Sequence, residues 1–68
     1  MAVSEWFSDE ELISQFRMFF TENERDNIDF DVLLGQLIDI NDDLWKVNIK
    51  SRWFVVDKKF CNVREMEL

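Results

Sequence analysis

The spacing of apolar residues changes once along this chain, and the change limits the architectures open to it. Up to residue 38 large hydrophobic side chains recur every three or four positions, and from residue 45 they alternate with polar ones. A helix brings positions i, i+3, i+4 and i+7 onto one face, whereas a strand aligns every second residue. Helices followed by strands make an α+β protein.

Leu12, Ile13, Phe16, Phe19 and Phe20 form the first stripe. Ser8-Asp9-Glu10-Glu11 opens it as a capping box, in which the Ser8 hydroxyl accepts from the Glu11 N–H and the Glu11 carboxylate reaches back. Phe7 and Leu12 occupy the staple positions around that cap, and the three acids complement the helix dipole. A helix is expected over 8–22. A polar connection, 21–27, leads to a second stripe of Phe30, Leu33, Leu34, Leu37 and Ile38, with Asn27 or Asp29 as its cap. Gly35 falls inside this second helix, at a cost of about 1 kcal/mol relative to Ala.

Residues 39–50 admit two readings. Trp45, Val47 and Ile49 alternate with Lys46, Asn48 and Lys50, which favours a strand. Leu44, Val47 and Ser51 would equally serve one face of a short helix capped by Asp42 or Asp43. Segments 52–56 and 60–63 are β-rich and joined by Asp57-Lys58-Lys59, so a hairpin should follow. The expected fold is two N-terminal amphipathic helices packed on a small antiparallel C-terminal sheet. The alternative is a winged-helix-like αααββ order, with the region around Lys46 as recognition helix and the hairpin as wing.

Residues 1–68 should make a single compact domain. A chain this short buries about 60% of its unfolded surface and needs a dense core. Seven Phe and three Trp supply one, and they argue against disorder. A homodimer is the other way to shield such a core.

Several chemistries are poorly supplied. Without histidine there is no side chain titrating near neutrality and no Ser-His or Cys-His nucleophile system. One glycine excludes a phosphate-binding loop, and a lone cysteine excludes a disulfide within the chain and a thiolate zinc cage. Cys61, in an apolar setting, is expected to be a small buried hydrophobe. Asp39, Asn41 and Asp43 fill positions 1, 3 and 5 of a calcium loop. Leu44 then replaces its turn glycine and Lys50 its bidentate Glu, so a capped polar turn is the better reading. Neither an enzyme, a cofactor nor a metal is expected. The first five residues have no leader-like character, and the longest apolar run, 53–56, is far below the ~20 residues of a membrane span. A soluble cytoplasmic protein without membrane contact is expected.

Charge is what remains. Residues 1–44 hold 12 acids and 2 bases, whereas residues 45–68 hold 6 bases and 3 acids, giving −10 and +3 within a total of −7. Asp9, Glu10, Glu22, Glu24, Asp26, Asp29, Asp31, Asp39, Asp42 and Asp43 form the candidate partner-binding face. Trp6, Met18 and Val32, off the apolar stripes, are its candidate anchors. Such carboxylates can imitate a phosphate array and occlude the basic site of a nucleic-acid-binding protein, as a phage or viral inhibitor would. The same acids would also keep an aromatic-rich chain soluble. The second reading is a winged-helix-like nucleic-acid binder using Lys46, Lys50, Arg52, Trp53, Lys58 and Lys59, a mixture of cations and aromatics suited to single strands. Net −7 disfavours direct nucleic-acid contact. The third reading is a structural subunit of a larger assembly.

Overall fold

The computed structural model describes residues 6–66. The expectation about a leader in the first five residues lies outside them. Three short helices, α1 (Asp9–Arg17), α2 (Glu22–Asp26) and α3 (Phe30–Leu34), precede four strands, β1 (Ile38–Asp39), β2 (Leu44–Ile49), β3 (Arg52–Asp57) and β4 (Val63–Glu65). The strands form an antiparallel meander in the order β1-β2-β3-β4. This is the α+β arrangement expected from the change of period. The winged-helix-like alternative falls, because the region around Lys46 is a central strand. Val47 and Ile49 are 1% and 4% exposed on its inner face, so alternate burial decided between the two readings.

α1 starts where its cap requires. Ser8 is extended, and its Oγ accepts from the Glu11 N–H at 3.2 Å. The return contact differs from the expected one: the Ser8 hydroxyl donates to the Glu11 carboxylate at 3.4 Å. The helix stops at Arg17, earlier than expected. Phe19 and Phe20 donate to the carbonyls of Phe16 and Arg17 in a tightened last turn (3.0 and 3.2 Å). Phe20 still reaches the core. The expected connection 21–27 is largely α2, which begins with a complete capping box. Thr21 Oγ1 accepts from the Glu24 N–H at 3.3 Å, and the Glu24 carboxylate accepts from the Thr21 N–H at 2.9 Å.

Asp29, not Asn27, caps α3, accepting from the N–H groups of Asp31 and Val32. α3 ends at Leu34 with Gly35 as its C-cap, so Gly35 is not interior and Ile38 belongs to β1. Leu37 packs against the core, but Ile38 is 45% exposed. The second stripe therefore joined two elements that share a period only by coincidence.

Lys50 and Ser51 close the β2–β3 hairpin with φ of 50° and 67°. A two-residue turn needs this left-handed backbone to match the twist of its strands. β4 starts later than expected, because residues 58–62 form a loop. Asp57 anchors that loop by accepting from the N–H groups of Lys59 and Phe60 at 2.8 and 3.0 Å. Cys61, expected in a strand, lies in the loop with φ of 52° and is half-buried.

The core lies between the helices and one sheet face. Leu12, Phe16, Val47, Phe54 and Val56 are its most enclosed side chains. Phe16, Phe19 and Phe20 surround Phe54 at ring-centroid distances of 6.2, 5.2 and 5.7 Å. No helix among the described residues is long and apolar enough to cross a membrane.

Candidate protein-binding surfaces

α1 runs along the sheet, and its two ends locate the acids. Near its start the Phe7 ring meets Trp45 at 6.4 Å. Glu10, Glu11, Ser14 and Gln15 line a groove there with Phe60 and Cys61 of the β3–β4 loop. Beyond its finish Phe20 lies against Phe54 and the Arg52 guanidinium, beside the β2–β3 turn. The ten candidate carboxylates consequently fall into two groups. Asp9 and Glu10 share the first end with Asp39, Asp42 and Asp43 of the β1–β2 region. Glu22, Glu24, Asp26, Asp29 and Asp31 occupy α2 and the start of α3, where the charges of Lys50 and Arg52 reach Glu24.

Several of these acids also have structural work. Asp29 caps α3, and Glu24 completes the α2 capping box. Hydrogen bonds from the Thr21 N–H and hydroxyl hold the Glu24 carboxyl below its usual range. Asp39 pairs with Lys58, and Asp43 with Lys59 at 3.9 Å. Glu10, Glu22, Asp26, Asp31 and Asp42 are exposed. Trp6, Met18 and Val32, the candidate anchors, are 68%, 71% and 56% exposed.

The six residues of the basic alternative are dispersed. Arg52 points to the inner face, where Nε and Nη2 donate to the Glu65 carboxylate at 2.9 and 2.6 Å and Nη1 to the Phe19 carbonyl at 3.3 Å. Its guanidinium also lies 4.9 Å from the Phe20 ring and 5.3 Å from the Phe54 ring. The pairing holds Glu65 below the usual carboxylate range and raises Arg52. Lys58 donates to Asp39 and to the Asn41 carbonyl, and lies over Trp45 at 5.4 Å. The sequence's calcium-loop candidate thus has an ammonium at its oxygens. Asn41 Oδ1 accepts from the Asp43 N–H, making a local turn. Among the described residues no group of three or more His, Cys, Asp or Glu could hold a metal ion. Lys50 sits in the hairpin turn. Lys46 and Trp53 share the outer sheet face, with the ammonium 5.4 Å from the ring.

Sequence reasoning missed Ile38, Leu44, Val55 and Arg64, which lie on that same face. Their alternation is visible in the sequence, but which strand lies beside which is not. Burial, followed by the Glu11 charge, pushes the Cys61 thiol up, so the groove beside α1 holds a protonated thiol at neutral pH.

No protein-family model, curated protein or solved structure matches this chain.

Proposed function

We propose that this chain is a non-enzymatic, cytoplasmic protein-binding module whose acidic helical layer docks on a basic surface of a partner protein and occludes it. The observation that carries this reading is α2. It is fully capped, yet it buries none of its residues and so adds nothing to the core. Arg25 ties it to the end of α1 by donating from Nε to the Arg17 carbonyl at 2.8 Å, and Glu22 and Asp26 stay exposed. Asp31 and exposed Val32 on neighbouring α3 extend the surface. The ion pairs Arg52–Glu65, Lys58–Asp39 and Lys59–Asp43 engage none of these carboxylates. Their field is left for a partner, with fast and salt-sensitive association. A basic, nucleic-acid-binding protein is the matching class, and the module would act there as a phosphate-array mimic.

The test compares wild type with a Glu22→Lys, Asp26→Lys, Asp31→Lys variant that leaves both helix caps in place. Captured proteins are identified with and without nuclease, at low and high salt. Capture that resists nuclease, weakens with salt and disappears in the folded variant is expected. Unchanged capture by the variant, or capture abolished by nuclease, overturns the proposal.

A further inference from the structure

We propose that the outer face of the sheet is a second docking surface, one that takes an acidic amphipathic segment of a protein partner. This inference is independent of the role of α2. The helices cover the other face, and the outer one carries a row across all four strands. Ile38 pairs with Lys46, Lys46 with Val55, and Val55 with Arg64, so apolar and cationic side chains alternate across the sheet. Leu44 and Trp53 flank this row. A solvated antiparallel face ordinarily alternates to polar residues. Here Leu44, Trp53 and Val55 are half-buried and Ile38 is 45% exposed, although none of the described helices α1–α3 packs over them.

Charge selects the occupant. Among the described strand residues on this face Asp57 is the sole acid; its carboxylate accepts from the N–H groups of Lys59 and Phe60 and its charge acts on Arg64, so with Lys46 the face keeps a net charge of +1 (two cations, one acid). Lys46 and Arg64 therefore form a positive island on a chain of net −7. A second copy stacked face to face would bring two faces of the same net positive sign together, and like charges across an interface are costly. A nucleic acid extends its charge beyond the island, over the acid-rich remainder. A short segment with a few carboxylates among large apolar side chains meets neither penalty. Its apolar residues cover Leu44, Trp53 and Val55, and its carboxylates reach Lys46 and Arg64. The surrounding negative field turns it away in any other register, which gives specificity.

The experiment titrates the isotope-labelled full chain with a synthetic amphipathic helical peptide of Leu, Phe and Glu, following backbone amide shifts. Parallel titrations use the peptide with Glu replaced by Lys, an oligothymidylate, and dilution of the protein alone. The acidic peptide is expected to shift the amides of Leu44, Lys46, Trp53, Val55 and Arg64. A Lys46→Glu, Arg64→Glu variant should bind it about tenfold more weakly, or worse. A Val55→Asp variant, checked for folding by circular dichroism, should lose the apolar part of the contact and bind more weakly too. Absent binding, shifts confined to the helices, an unchanged Kd in folded variants, or equal binding of the Lys peptide overturns the proposal. Shifts of the same residues on oligothymidylate binding, or on protein dilution alone, overturn it in favour of a nucleic acid or a second copy.

Discussion

Replacing Phe54 by alanine tests the packing account most directly. Phe54 is fully enclosed, with the rings of Phe16, Phe19 and Phe20 around it at 5.2–6.2 Å. A buried Phe→Ala change costs about 3–5 kcal/mol through lost transfer energy and the cavity left behind. Three ring contacts, each adding about 0.5–1.5 kcal/mol beyond area, place this site in the upper half of that range. Domains are stable by about 0.05–0.15 kcal/mol per residue, which for 68 residues gives about 3–10 kcal/mol. Phe54→Ala should thus remove a third or more of the total stability, about 4–5 of at most about 10 kcal/mol, and at the low end all of it, leaving the variant unfolded without urea. Phe60→Ala is the matched control. That ring is 81% exposed, so its loss should change stability by no more than about 0.5 kcal/mol. Urea unfolding followed by far-ultraviolet circular dichroism measures both. A Phe54→Ala loss below about 2 kcal/mol at unchanged m, or similar losses for the two variants, would mean that the Phe54 cluster does not hold the core together.

Four further outcomes follow from the local geometry. Ser51→Gly should stabilise the chain by about 0.5–1 kcal/mol in the same urea assay, because glycine adopts the φ of 67° without the Cβ clash. Asp29→Ala should destabilise by about 1 kcal/mol and lower the melting temperature by several degrees, whereas Asp29→Ser keeps the α3 cap and most of the stability. Glu24, Asp57 and Glu65 are held below their usual carboxyl range by Thr21, by the Phe60 and Lys59 N–H groups, and by Arg52 respectively. Their stabilisation is complete above the ordinary carboxylate pKa and lost as pH falls through the lower folded values. Between about pH 6 and pH 3, Asp57→Asn and Glu65→Gln should each lose less stability than wild type; an equal loss would remove the proposed cause. Cys61 should react with a disulfide reagent at neutral pH more slowly than free cysteine, and Glu11→Gln should speed it.

What the sequence determined by itself was local. Ser8 with Glu11 and the Phe16–Phe20 spacing act within one or two helical turns, so the first cap and the helical stripe could be read directly, whereas Asn27 and Asp29 were equal candidates for the second cap until the fold chose Asp29. The α2 capping box, Thr21-Glu22-Asn23-Glu24, was equally present in the sequence but passed unnoticed because no apolar stripe follows it. Lys50 and Ser51 concealed the hairpin for a different reason: neither residue is among the usual choices for a left-handed turn, and the strand pairing on both sides imposes it.

Tertiary structure decided the rest through pairing between distant segments. Six residues, Leu44–Ile49, are too few to separate a period of 2 from one of 3.6, and packing of Val47 and Ile49 beside Phe54 settled them as a strand. Register then assigned each cation a side. Arg52 turned inward to Glu65 and the phenylalanines and Lys58 to Asp39, while Lys46 and Arg64 came to flank Val55 outside. A shift of one residue exchanges the two faces of a strand, so no local pattern distinguishes a structural cation from one left on the open sheet.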